Sequence, residues 1–411
     1  MTLTTDPVVI TGIGIVAPNG ASTADYWAAV GQGVTGIGPI TRFATDSYRC
    51  QLAGEVGDFD PERTSVPRRL VAQTDRVAQF GLATAAAALA DSGHDGAVSP
   101  PRFGVITSTA SGGNQFGQQE IQKLWSAGPR SVGPYQSIAW FYAAITGQVS
   151  IRHGLKGHCG VLATEGAGGL DAIGHGRRLL RRGAADALLA GGAEAPISPF
   201  ALACHSRSGQ LSGGRRAEEC YLPYGRHSDG YVPGEGAAML TLERQATAGE
   251  RQAARVYAEV AGYCATHEGS CGDPDPSGAP LSRAIRGALA DAGITSSEVD
   301  VIFADGSAVP HRDRAEAAAL HAVFGDEIPC PVTVPKTMTG RMLAAGAAVD
   351  VATAALAISH QLIPPTVLPG DYDSDDRLPL VRTATPAAIT HALIVARGHG
   401  GFNAAVVLRR T

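Results

Sequence analysis

What most constrains this chain is an alternation of buried strands and amphipathic helices that runs through once and then starts again. PVVITGIGIVAP (7–18) is an apolar strand run closed by Gly and Pro; residues 74–91 repeat apolar positions at helical spacing, and FGVITST (103–109) is a second strand. A strand and helix pair follows over 158–182, then ADALLAGGAEA (185–195) and, past a Gly- and Arg-rich loop, the turn and strand GYVPGEGAAMLTLER (230–244). From about residue 251 the order recurs: ARVYAEVAGY strand, SRAIRGALADAG helix, VDVIFADGS strand, RAEAAALHAVFG helix, a helix over 342–361, and the closing strand HALIVARGHGGFNAAVVLRR. Such alternation builds mixed or parallel sheets covered by helices. The pattern therefore predicts two similar βαβαβ-type α/β halves, 1–250 and 251–411, with weak internal duplication.

At 411 residues the chain can bury a large core and a deep site. Hydrophobic residues make up 44% and charged ones 17%, the balance of a well-packed fold. The formal net charge of −5 supplies no basic footprint, and no RNA- or DNA-binding motif is present, so nucleic acid is not an expected partner. Seven cysteines lie scattered without CxxC pairs, which argues against a disulfide framework or a zinc ribbon and for a reducing cytoplasm; no metal site is expected. MTLTTDPVVITG lacks the basic and apolar regions of a signal peptide. The apolar stretch Met342 to Ile363 is interrupted by Asp350, His360 and Gln361 and suits a buried helix better than a membrane span. GIGIVA near the start resembles a dinucleotide-binding turn, but Pro18-Asn19-Gly20 intervenes before any helix, so a tight strand-end turn is the better reading and no cofactor is expected.

The sharpest local feature is TEGAGGLDAIG (164–174), where the run HCGVLAT turns on small residues into a helix. Folds place nucleophiles at such turns, because helix-end N–H groups stabilise negative charge there. Here the turn carries Gly166, which has no side chain to react.

With that turn in place, two further stretches line up with one family. FADGSAVPHRDRAEAAAL (303–320) resembles the histidine loop, with its trailing Glu, of the β-ketoacyl synthases of the thiolase fold; PKTMTGRMLAAGA (335–347) resembles their Lys-x-x-x-Gly-His stretch. VVITGIGIVAPNG, GYVPGEGAAML and GHGGFNAAVVL extend the resemblance over essentially the whole chain. It implies a thiolase-like fold, with the two halves in a layered α-β-α-β-α arrangement. In that family a cysteine takes the acyl chain while two histidines assist decarboxylation of a malonyl unit and stabilise its enolate. The matching positions here hold Gly166, Asp305 and Arg341, so all three groups are missing; Lys336 and Glu316 are retained, and the expectation for them is a buried structural ion pair.

KLWSAGPRSVGPYQSIAWFYAAITGQVSIRHGLKG (123–157), AGGLDAIGHGRRLLRRG (167–183) and YVPGEG (231–236) are more similar to chain length factors, the ketosynthase-like β subunits of type II polyketide synthases, than to active ketosynthases. Most such subunits carry glutamine where this chain has Gly166, and that glutamine has been proposed to aid decarboxylation; the glycine removes the basis for that role. Pro223-Tyr224-Gly225 and His399 also depart from the family's Pro-Phe-Asp and from the Phe of its closing Gly-Phe-Gly-Gly loop. The resemblance implies a cytoplasmic, non-catalytic subunit that pairs with a cysteine-bearing ketosynthase and meets an acyl carrier protein bearing the growing chain. It implies antiparallel pairing of the strand Val161, Leu162, Ala163 and Thr164 with its counterpart in the partner, and a tunnel lined at Asn114, Gly117, Ile121 and Ile138. Aliphatic residues where aromatic-product relatives often carry rings predict a longer, less polar tunnel for a reduced or polyene chain; the alternative is an aromatic-polyketide subunit with altered packing.

Two rival classes stand beside this reading: a stand-alone thioester hydrolase or decarboxylase using Cys159, Glu165 or Asp305, and a homodimeric scaffold. The plainer readings of single residues are a buried inert thiol at Cys159, Glu165 placed favourably near a helix start, a surface or loop histidine at His311, and a solvated helix face for Arg177, Arg178, Arg181 and Arg182.

Overall fold

Ten strands hydrogen-bond in one continuous run, and their order shows how the chain is organised. The computed structural model describes residues 6–57, 59–94, 102–374 and 377–411. The strands are β1 (Val8–Val16), β2 (Phe103–Ser108), β3 (Cys159–Leu162), β4 (Ala187–Glu194), β5 (Gly236–Arg244), β6 (Ala258–His267), β7 (Val301–Phe303), β8 (Val332–Thr333), β9 (His391–Arg397) and β10 (Phe402–Arg409). They lie in the order β3-β2-β4-β5-β1-β6-β10-β9-β7-β8. In the first half β2 is parallel to β3 and β4, and β4, β5 and β1 run antiparallel; in the second, β7 is parallel to β8 and β9, and β9, β10 and β6 run antiparallel. The pairing scheme is thus repeated. The two halves join where Val9 and Ile10 of β1 pair with Glu259 and Ala258 of β6.

Successive side chains on a strand point to opposite faces, and that period divides the core into layers. Leu188, Ala190, Leu240, Ile394 and Val406 face a central cluster formed by helices α4 (Gly168–Arg181) and α7 (Leu343–His360). Leu189 and Met239 face outward against α1 (Arg76–Ser92), while Leu393, Val395 and Val407 face α5 (Ala279–Ala292). The result is the α-β-α-β-α layering of the thiolase-like fold.

Small residues make the central layer possible. A Cβ at Gly169 would lie 2.3 Å from the backbone N of Ala348, so α4 and α7 can touch there only through glycine. Among the described residues, α7 is the single helix long and apolar enough to cross a membrane, and 89% of it is buried inside the protein. Two sequence expectations change. The closing stretch is a hairpin of β9 and β10 turned at Gly400 and Gly401, both at positive φ, instead of one strand; and β8, too short to show periodicity, escaped the sequence reading.

Candidate functional site: a sealed turn beside an open edge

The turn between β3 and α4 is a single 3₁₀ turn, Glu165–Ala167, and Glu165 sits there at φ +49°, a left-handed conformation that side chains rarely adopt. That backbone folds its carboxylate back over the helix start. Glu165 Oε2 accepts from the N–H of Gly166 at 2.5 Å and from the N–H of His399 at 2.7 Å. Two convergent N–H donors are what would stabilise a developing oxyanion, and here the chain's own anion occupies them.

Side-chain space at Gly166 is closed as well. A Cβ there would stand 2.4 Å from the carbonyl oxygen of Arg397 and 2.9 Å from Nη2 of Arg341. Arg341 is pinned by a bidentate pair, Nη1 to Asp305 Oδ1 at 3.1 Å and Nη2 to Asp305 Oδ2 at 3.2 Å, and Nη2 also donates to Arg397 O at 2.8 Å. Both partners are buried, Arg341 at 3% and Asp305 at 2% exposure. Burial opposes ionisation of Asp305, but Arg341, Lys336 and Arg312 together hold its carboxyl below the usual range, while Asp305 raises the Arg341 guanidinium further. Gly166, Asp305 and Arg341, the positions expected to match the family's nucleophile and two histidines, are therefore brought together, as a filled ionic core with no thiol and no imidazole.

Lys336 and Glu316 do not pair with each other. Lys336 Nζ bonds to Asp350 and donates to Ala304 O at 3.1 Å, whereas Glu316 accepts from the N–H groups of Asp305 at 2.7 Å and Gly306 at 2.9 Å. The lysine finds its counter-ion on α7, and the glutamate is used to hold the 304–306 loop. Burial, with the charges of Asp305 and Asp313 nearby, raises the Glu316 carboxyl.

At the edge of the sheet the picture reverses. β3 pairs with β2 along one side, from Val105↔Cys159 to Ser108↔Leu162, and has no strand on the other among the described residues. The opposite edge, β8, is covered: Val332 donates to Pro379 O at 3.0 Å and accepts from Val381 N at 2.9 Å. The strand comprises Cys159–Leu162, so Val161 and Leu162 lie within it while Ala163 and Thr164 fall past its end. Cys159 is exposed on this edge, not buried as its place inside a strand run suggested, because an edge strand leaves one side bare.

Asn114, Gly117 and Ile121 fall on helix α2 (Asn114–Ala127) at intervals of three and four, one face of the helix. Ile138 lies in a short helical turn, Gln136–Ala139. Gly117 is buried, and a Cβ there would meet Trp140 Cβ at 3.5 Å and Gln136 Nε2 at 4.0 Å, so α2 faces the segment that carries Ile138. Ile121 and Ile138 are exposed at 52% and 46%, and Trp125, Trp140 and Phe141 beside them in sequence are exposed too. Exposed large apolar side chains gathered in one segment are the kind of surface that a partner covers. The aromatic run AWFY was its signal in the sequence.

Arg177 is not on a solvated face: it is buried and bonds to Asp291 at 2.6 Å and to Ala261 O, while Arg178 and Arg182 are exposed. His311 lies in the first turn of helix α6 (Pro310–Phe324), partly exposed and 3.3 Å from Asp273. Among the described residues no group of His, Cys, Asp and Glu has the arrangement of a metal site.

The model of the beta-ketoacyl synthase N-terminal domain matches residues 5–248, and that of the C-terminal domain matches 257–368. The tetracenomycin polyketide synthase ketoacyl synthase beta subunit of Streptomyces glaucescens is 49% identical over 410 residues, covering 98% of each chain. The actinorhodin polyketide putative beta-ketoacyl synthase 2 of Streptomyces coelicolor is 45% identical, again over 98% of each. Among solved structures, the ishigamide ketosynthase/chain length factor superposes with a TM-score of 0.90 at 30% identity over 99% of each chain. A type II ketosynthase bound to a hexaketide, in complex with its acyl-carrier protein, superposes at 0.88 and 27% identity, over 99% of this chain and 100% of that one. The chain belongs to the beta-ketoacyl synthase family. Within it, its place is among the ketosynthase beta subunits, the chain length factors of type II polyketide synthases.

Proposed function

We propose that this chain is the non-catalytic subunit of a type II polyketide condensing unit, pairing with a cysteine-bearing ketosynthase through β3 and bounding the tunnel that receives the chain grown on an acyl carrier protein. One contrast carries the reading: the turn that should hold the nucleophile is packed shut by Glu165, Arg341 and Asp305, whereas among the described residues β3 has an open side and Ile121 and Trp125 of α2 are exposed. A partner strand on β3 would satisfy its open hydrogen-bonding side and cover Cys159. The tunnel wall is Asn114, Gly117, Ile121 and Ile138, and the missing side chain of Gly117 and the aliphatic ones of Ile121 and Ile138 favour a long reduced or polyene chain over a short polar one. A condensing pair of this kind works in the cytoplasm.

The stand-alone hydrolase or decarboxylase fares worse, since Glu165 is tied to two N–H groups, Asp305 to a guanidinium, and Cys159 sits exposed at the start of an edge strand, seven residues before the turn. The test is co-expression with a cysteine-bearing type II ketosynthase, followed by sizing and product analysis. A heterodimer whose Gly117→Phe variant releases shorter products is expected. A homodimer that ignores the ketosynthase, or unchanged product length in Gly117→Phe, would overturn the pairing and the wall respectively.

A further inference from the structure

Helix α2, which carries most of the proposed wall, begins without a cap of its own. Its N-cap residue is Gly113, and no side chain there accepts from the first turn. Four N–H groups at a helix start need outside acceptors, so something else must serve them. The acceptor for Phe116, the third residue of the helix, comes from 41 positions away: Asp75 Oδ2 accepts from Phe116 N at 2.7 Å. The same carboxylate is the N-cap of α1, where Oδ1 accepts from Val77 N at 2.9 Å. Asp75 is 2% exposed, and burial pushes its carboxyl up to about 6 even with both N–H groups pulling it down.

One buried carboxylate thus caps two helices and ties the start of α2 to a helix packed on the sheet. The segment ahead of it is held in the same way. Glu194, fully buried at the end of β4, accepts from Ala110 N and from Ser111 Oγ at 2.5 Å, and Gly113 N donates to Trp140 O at 3.1 Å.

We propose that Asp75 is a positioning residue for chain length: by capping α2 from outside, it fixes where along the helix axis Gly117 and Ile121 stand and so how deep an acyl chain runs before it meets them. This rests on the reading of those residues as the tunnel wall. An axial slip of α2 by one residue's rise, about 1.5 Å, changes the tunnel by about the length of one C–C bond.

The test separates a cap that merely stabilises from one that sets position. Asp75→Ser keeps a good N-cap for α1 but is too short to reach Phe116, and Asp75→Asn keeps one acceptor oxygen and places a donor against the other N–H. In the heterodimer, supplied with malonyl-loaded carrier protein, the length distribution normalised to total product should broaden in both variants. Neighbouring lengths should rise about tenfold in share, the discrimination a pocket commonly loses with one methylene of fit. Hydrogen exchange on the isolated chain should show the Phe116 amide exchanging about tenfold faster in Asp75→Ser with the α1 amides unchanged, as expected for loss of one charged hydrogen bond. Unchanged lengths in both variants, while Gly117→Phe shortens the product, would overturn the positioning role alone. Unchanged lengths in all three would overturn the wall itself and the positioning role with it, and an unchanged Phe116 exchange rate would remove the cap.

Discussion

The sealed turn at Gly166 and the bare edge at β3 lie a few residues apart in one continuous segment, yet they are finished to different standards. At the turn every donor and acceptor named above has a partner, and even one Cβ would collide with Arg397 and Arg341. At the edge a strand, several isoleucines and aromatic rings, and the thiol of Cys159 are left facing outward. A protein that needed reactivity from this turn could not pack it so tightly, and one that worked alone would cover such an edge. The difference shows which surface is complete by itself and which needs a second chain.

The contrast breaks most visibly at its ionic centre. Arg341→Ala leaves Asp305 buried and unpaired and should cost about 3–5 kcal/mol, read as a large fall in the urea midpoint. Replacing the pair together, Arg341→Met with Asp305→Leu, should restore most of that loss, because the pair serves to fill the pocket and performs no chemistry. Next in size is Val161→Lys. A lysine on an edge strand opposes strand addition, so the dissociation constant of the heterodimer should rise about thirtyfold, an interface hot spot of ~2 kcal/mol, while the isolated chain unfolds as before. Gly166→Ala should cost about 1–3 kcal/mol from overpacking; an unchanged midpoint would mean that the turn has room to spare.

The last effect is a pH slope. Burial pushes the Glu194 carboxyl from 4.5 to about 7 against its bonds to Ala110, Ser111 and Thr109. In that window the folded chain holds a proton that the unfolded chain has released, so this group makes stability fall as pH rises from about 4.5 to 7. Glu194→Gln keeps an acceptor for Ala110 and should flatten that part of the stability profile measured by chemical unfolding. A slope unchanged by the substitution would assign it to Glu316, raised to about 7, or to Asp75, Asp313 or Asp350, whose carboxyls are raised to about 6 in the same way.

Most strands of the large sheet were legible because apolar periodicity reports burial, whereas the layered arrangement followed only from the resemblance to the β-ketoacyl synthases; the glycine at the strand-to-helix turn is visible in the letters alone. What the sequence hid was partner choice. Lys336 pairs with Asp350, fourteen residues on and brought back by α7, where the family motif pointed to Glu316. Cys159 reads as buried from its place inside a strand run, yet exposure depends on whether a strand lies beside it, which no local pattern states. The hold of Glu165 on His399 spans 234 positions and depends on one left-handed φ, and the reach of Asp75 to Phe116 likewise joins helices far apart in the chain. Long-range polar contacts of this kind follow from the fold and leave no spacing to read.

The most direct measurement is intact-mass analysis of both subunits after the heterodimer meets an acyl thioester. All of the acyl mass should appear on the ketosynthase, and none on this chain whether alone or paired. A stoichiometric acyl adduct on this chain, at Cys159 or at any other residue, would contradict the account.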